Sequence, residues 1–363
     1  MGRRKGFYNN THSGHSGESF LVSAVERVLV VVALFILTMI SASTADYDNV
    51  KTMMFDEGYT QLFGDRNLVR ISDGFGVKLI LDKYTGSGFK STDAYYYGLF
   101  SASIKLPPVA YTAGVVVAFY VSNGDVFKRT HDEVDFEFLG NIKRKPWKVQ
   151  TNIYGGGSTH RGREERYTLP FNPSQAAHRY SILWSKSSII FYVDDIPIRE
   201  VKRSEEMGSE YPSKPMSVYA TIWDGSTWAT SGGSHKAIYK VSPFVAEFTN
   251  LVLKGCPVDP VEEILSPESM TDWCDGLGVE EDNNTVKYSI MTAAKNQAMM
   301  SFRKKHMIYS VCYDKWRYPT PLPDCDLVGM ESDIDRFSNS GHIRRHGRKR
   351  SSGSKVLLDT IDY

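Results

Sequence analysis

Ten residues constrain this chain more than any others: His131 to Gly140, reading His-Asp-Glu-Val-Asp-Phe-Glu-Phe-Leu-Gly. Glu133, Asp135 and Glu137 alternate with Val134, Phe136 and Phe138. In a β-strand, alternate side chains point to opposite faces, so the pattern predicts a strand with one acidic face and one core face. A strand with one solvated face also alternates. Three stacked like charges are costly, however, because each carboxylate raises its neighbour's pKa. A solvated strand usually dilutes such charge with Lys or Thr.

Two carboxyl groups flanking a scissile glycosidic bond are the equipment of glycoside cleavage, one to protonate the leaving oxygen and one to act as nucleophile or base. Glu133 and Glu137 are four residues apart, which places their backbones about 13 Å apart on an ideal strand. Retaining cleavage needs carboxyl groups roughly 5 to 5.5 Å apart. A concave, twisted sheet that tilts the two long side chains together is therefore expected. Asp135, between them, is placed to hydrogen-bond one carboxyl and hold the pair in different protonation states.

The stretch 131–140 resembles the catalytic signature of the plant xyloglucan endotransglucosylase/hydrolases, a branch of glycoside hydrolase family sixteen, and companion motifs extend the resemblance from about Asp56 to Cys325. The resemblance implies that Glu133 is the nucleophile, Asp135 a supporting acid and Glu137 the general acid/base. It also implies sugar contacts at Tyr120, Gln150, Asn152, Glu164, Arg166, Trp223, Trp228, Tyr309 and Arg317. Amide, carboxylate and guanidinium groups suit that task because a hydroxyl-rich ligand needs fixed donors and acceptors. Relatives often carry Asp before the second Trp of the 223–228 turn, where this chain has Thr227. Many also carry a glycosylation acceptor just after the catalytic strand, but Asn141-Ile142-Lys143 is not one. Asn283-Asn284-Thr285 does fit that pattern, as does Asn9 in the leader.

With 363 residues and 41% hydrophobic content, the chain can bury a large core. A net charge of +1 argues against nucleic acid as partner. Residues 1–45 read as a signal sequence: Arg3, Arg4, Lys5 and Arg27 precede an apolar run from Val28 to Ile40, followed by small residues Ser41 to Ala45. The run is short for a span of about 20 apolar residues. Retention as an anchor through residues 28–40 is the alternative to cleavage. Gly6 in place of Ser or Thr argues against myristoylation.

Residues 46–254 carry short apolar or alternating runs at Leu79–Leu81, Phe100–Leu106, Gly114–Val121, Ser181–Trp184, Ile189–Val193 and Val218–Ile222, with no long helical period. Such spacing predicts an all-β sandwich, which the resemblance sharpens to a concanavalin-like β-jelly-roll with a concave substrate face. Cys256, Cys274, Cys312 and Cys325 all lie downstream. Four cysteines in a secreted chain allow three disulfide pairings, of which the resemblance implies 256 with 274 and 312 with 325. The lack of Cys-x-x-Cys spacing argues against a zinc site. The resemblance implies that residues 255–327 form a short, disulfide-bonded, partly helical extension on the acceptor side, and Val286–Tyr309 has helical character. Residues 328–363, with Arg344, Arg345, Arg348, Lys349 and Arg350 among Ser, Gly and His, read as a disordered basic tail. Such a tail can adhere to acidic wall polysaccharide.

With these features, the resemblance implies a secreted, monomeric, cofactor-free enzyme of the cell wall and apoplast that cleaves xyloglucan and transfers the fragment to a second xyloglucan chain or oligosaccharide. A xyloglucan hydrolase and a noncatalytic wall glycan-binding protein are the competing functions.

Overall fold

The computed structural model describes residues 2, 50–258, 287–325 and 335–344. The chain divides into two units, residues 1–50 and 51–363. The second opens with a four-residue helix, α1 (Phe55–Gly58), and continues as strands β1 (Tyr59–Phe63), β2 (Leu68–Arg70), β3 (Gly76–Leu81), β4 (Ser87–Lys105), β5 (Val115–Ser122), β6 (Glu133–Leu139), β7 (Lys148–Tyr154) and β8 (Glu165–Thr168). Then come β9 (His178–Trp184), β10 (Ser188–Val193), β11 (Ile196–Lys202), β12 (Met216–Asp224) and β13 (Phe244–Val258). Helix α2 (Ala293–His306), β14 (Met307–Asp314) and β15 (Ser340–His342) complete the order.

The 19-residue β4 serves two layers. Its first half pairs with β1 and β12, and its second half pairs with β9 and β13. The break falls at Tyr97 and Gly98, both with positive φ. A Cβ on Gly98 would sit 2.4 Å from the Lys254 carbonyl oxygen, so only glycine allows the strands to close there. One sheet therefore runs β1-β4-β12-β5-β6-β7-β8-β14-β15 and the other β2-β3-β13-β4-β9-β10-β11, antiparallel throughout. Their facing sides interdigitate through aromatic pairs: Phe89 lies 5.6 Å from Phe248, and Phe136 lies 5.1 Å from Phe191 and 5.7 Å from Tyr180. This is the expected jelly-roll sandwich, and β6 is the middle strand of its first sheet.

All six runs read from the sequence as strands lie largely within strands. Ile189 to Val193 looked continuously apolar because β10 is buried on both faces: Tyr192 meets Tyr288, from the C-terminal extension, at 5.2 Å. Three expectations are corrected. The sandwich overruns its expected boundary at 254, since β13 continues to Val258. Helix α2 is capped by Thr292, whose hydroxyl accepts from the Lys295 N–H, and it ends at His306, so Tyr309 lies on strand β14 and not on a helix. Residues 335–344, assigned to a disordered tail, instead form an ordered hairpin against β14. Composition averaged over that polar stretch hides one apolar anchor: Phe337 is buried and stacks on Tyr313 at 4.6 Å. Arg336 donates to the carbonyls of Arg303 and Met307.

Cys312 and Cys325 form a disulfide. The expected partner of Cys256, Cys274, lies outside the described residues, as do Asn283, the leader and the chain beyond Arg344. Among the described residues no helix is long and apolar enough to cross a membrane.

Helix α2 packs against β11 and β8, and a buried charge cluster fastens it there. Arg303 donates to both oxygens of Glu165 at 2.6 and 2.8 Å, Ser310 and Tyr167 also donate to Glu165, and Arg199 lies 3.6 Å away. Burial alone would push the Glu165 carboxyl up, but Arg303 and Arg199 more than offset it and hold it at about 2. Removing one partner of such a cluster leaves a buried charge uncompensated, so Glu165→Ala is expected to destabilise the protein by roughly 3 to 5 kcal/mol. Denaturant unfolding of the variant beside wild type measures this.

Candidate active site

The antiparallel register assembles the acidic face of β6. Glu133 lies opposite Ser122 and Tyr154, Asp135 opposite Tyr120 and Asn152, and Glu137 opposite Ala118 and Gln150. Directly opposed residues point to the same side of the sheet. Beyond β5, β12 adds Tyr219, Thr221 and Trp223 to that side. The result is an open cleft of ≈ 330 Å³ lined by Phe63, Ala118, Tyr120, Glu133, Asp135, Glu137, Thr221 and Trp223. Its walls come from β1, β12, β5 and β6, so it crosses the strands. The opposite face of β6 is entirely apolar, with Val134, Phe136 and Phe138 fully buried.

All three carboxyls are held above their ordinary range. Burial pushes Glu133 up to about 7, partly opposed by a hydrogen bond from Ser122. Burial also raises Glu137 to about 7, against a hydrogen bond from Gln150 and with repulsion from Glu133 adding to the rise. Asp135 is raised well above the usual carboxylate range, first by burial and then by repulsion from Glu137 and Glu133. One of its oxygens, Oδ1, is buried without a hydrogen-bond partner in the protein. Carboxyls raised toward neutrality can take up and release protons at one pH, which suits neighbouring groups to acid and base work.

A relay runs sideways from Glu137. Gln150 donates from Nε2 to Glu137 at 2.6 Å and accepts at Oε1 from Arg166 at 2.6 Å. The Arg166 guanidinium lies 5.0 Å from the Tyr309 ring. Glu164 pairs with Arg317 at 2.5 Å. Gln150 thus bonds Glu137 directly, and Arg166 and Tyr309 follow it outward on β8 and β14. Gln150 and Asn152 are buried, however, and engaged: Asn152 Oδ1 accepts the Arg163 N–H at 2.8 Å. They position their neighbours before they can meet a ligand. Tyr309 is also buried and donates to Asp314 at 3.0 Å. Trp223 and Trp228 are half-buried, 6.0 Å apart, and rest on Val116, Leu139 and Ala229. Of these two rings, Trp223 alone reaches the cleft lining.

Sequence reasoning missed several members. Tyr219 stacks on Tyr120 at 5.0 Å, and Thr221 and Phe63 line the cleft. The alternation Ser217, Tyr219, Thr221, Trp223 along β12 was the available signal. Asp132 is a positioning residue: fully buried, it accepts from the N–H groups of Gly156, Ser213 and Lys214 and from Lys214 Nζ, all at 2.7 to 2.9 Å. It pins the start of β6 to the segment that leads into β12.

Residues 55–241 match the model of the glycosyl hydrolases family 16, and residues 273–325 match that of the xyloglucan endo-transglycosylase C-terminus. A protein of Arabidopsis thaliana described as probable xyloglucan endotransglucosylase/hydrolase protein 30 is 54% identical over 86% of this chain and 88% of its own. Probable xyloglucan endotransglucosylase/hydrolase protein 27 of the same plant is 51% identical over 92% of this chain and 98% of its own. Xyloglucan endotransglucosylase/hydrolase protein 31 is 41% identical over 76% and 89%.

The raised carboxyls set a pH dependence of stability. Their folded-state values lie above the ordinary value of 4.5, so between about pH 4.5 and 7 the folded chain retains protons that the unfolded chain has released. The cluster's contribution is intact below that window and is lost as pH rises through it. Glu137→Gln removes one titrating member. Its melting temperature should fall less across this window than that of wild type, a difference read by thermal unfolding at both ends.

Proposed function

Because this chain belongs to glycosyl hydrolase family 16, in its xyloglucan endotransglucosylase/hydrolase branch, we propose that it cuts the β-1,4-glucan backbone of xyloglucan and transfers the fragment to another xyloglucan chain, with retention, to remodel the cell wall. In the first step a Glu133 oxygen bonds to the anomeric carbon while the glycosidic C–O bond breaks and Glu137 gives its proton to the departing oxygen. In the second, the Glu137 carboxylate takes the proton of an incoming sugar hydroxyl, whose oxygen displaces Glu133 from the anomeric carbon. Asp135 stands between them with its carboxyl held well above the usual carboxylate range by burial and by its two neighbours.

The observation that carries these roles is the sideways relay from Glu137 through Gln150 to Arg166 and Tyr309. The acid/base must meet both leaving group and acceptor, and Glu137 is the carboxyl in line with the polar residues that extend away from the cleft. An acceptor held there in attack geometry competes with water through an effective molarity that can reach roughly 10⁵ M or more. That favours transfer over hydrolysis. Secretion through the leader into the apoplast, and adhesion of the basic residues beyond Arg344 to acidic wall polysaccharide, complete the reading.

Two measurements test it. Glu133→Gln should abolish turnover and keep the wild-type circular dichroism spectrum; wild-type turnover in that variant would remove Glu133 from the chemistry. With xyloglucan and a labelled xyloglucan oligosaccharide, label should enter the polymer fraction. Loss of viscosity without incorporation of label would identify a hydrolase, and neither would identify a glycan-binding protein.

A further inference from the structure

The hairpin after the disulfide extends the active face by one strand. Reading across the sheet, the register gives an unbroken row of directly opposed residues: Thr221, Ala118, Glu137, Gln150, Arg166, Tyr309 and, on β15, His342. The His342 ring lies 4.8 Å from that of Tyr309. Gly341 makes this approach possible, since with φ of +73° an added Cβ would lie 2.7 Å from both the Ser310 oxygen and the Tyr309 ring. The hairpin lies beyond residue 325, where the match to the C-terminal family model stops.

A second feature converges on the same edge. Trp316, in the turn after β14, is 69% exposed. Its backbone N–H donates to the Asn339 carbonyl at 3.2 Å, which ties this turn to the hairpin, and the next residue is Arg317, the partner of Glu164. A single exposed apolar side chain is ordinary at a protein surface, but this one stands at the edge of the sheet that carries the active face, and flat aromatic rings suit the apolar faces of sugars.

We propose that β15 and the Trp316 turn form an additional acceptor subsite, in which His342 and Trp316 hold a β-1,4-linked glucosyl unit of the acceptor chain farther from the cut than Arg166 reaches. Neighbouring strands stand about 4.8 Å apart, close to the length of one such sugar. Four strand steps from Glu137 to His342 therefore cover roughly 19 Å, and the added strand lengthens the acceptor track by one unit. His342 supplies a flat imidazole ring beside Tyr309, and Trp316 supplies a stacking face. The proposal rests on the transfer reading above and specifies how long an acceptor that site takes.

The test compares wild type with His342→Ala and Trp316→Ala on labelled xyloglucan oligosaccharide acceptors of short and long backbone. For the long acceptor each variant should raise KM by roughly three- to tenfold, the size of one ring contact, while kcat and the KM for the short acceptor stay at wild-type values. An equal change for both acceptors, or none, overturns the subsite. A second readout is independent of transfer: the position of cleavage in a single long oligosaccharide, which the variants should shift toward shorter leaving fragments. Absent label transfer with this shift present would sink the transfer reading and keep the subsite; transfer without the shift or the KM split would do the reverse.

Discussion

Three carboxyls on one face of the central strand are the constraint around which the molecule is arranged. Repulsion and burial both work against them, and their own strand carries no cation to offset either. Support comes from the far face of β6, where Val134, Phe136 and Phe138 are fully buried against Tyr180 and Phe191 of the other sheet. Fully burying a large apolar side chain contributes roughly 1.5 to 3 kcal/mol, so the packed face can carry an acidic one. The central position also matters, because only a strand with neighbours on both sides can receive Ser122 from β5 and Gln150 from β7.

A second buried carboxylate shows what the active cluster leaves undone. Glu165 is as buried as Asp135, yet it accepts from Arg303, Ser310 and Tyr167 and is held low, whereas Asp135 keeps an oxygen without a partner and is held high. The difference is the guanidinium. Arg303 belongs to the C-terminal extension and Arg199 to β11, so the ionised group fastens one element to another. The cluster on β6 is short of cations by comparison, and its carboxyls are held above their ordinary range.

Much of the site was legible in ten residues, because period-two alternation is read directly from sequence and the acid face of β6 follows from it. What the sequence could not supply is register. Gln150 follows Glu137 by thirteen residues and Arg166 follows Gln150 by sixteen, and only the pairing of β6, β7 and β8 turns those separations into a hydrogen-bonded relay. Burial was equally hidden. Gln150, Asn152 and Tyr309 carry groups suited to sugars but are mostly enclosed, so their side chains act on other side chains. The hairpin at 335–344 was lost for a different reason: one phenylalanine among serines, glycines and arginines is too weak a signal until Tyr313 is beside it.

The contrast between the two carboxylate clusters bears on whether such a face could belong to a protein that only holds a glycan. Binding needs fixed donors and acceptors in ordinary protonation states, and a paired arrangement like that of Glu165 would provide them at no cost in repulsion. Carboxyls raised toward neutrality bring binding nothing that an amide could not supply without charge. They are useful when a proton must leave one oxygen and return to another at the same pH. An Asp135 held well above its ordinary range between two glutamates, with one oxygen lacking a partner, therefore has a physical rationale in catalysis that adhesion lacks. Its instability is the condition of its chemistry.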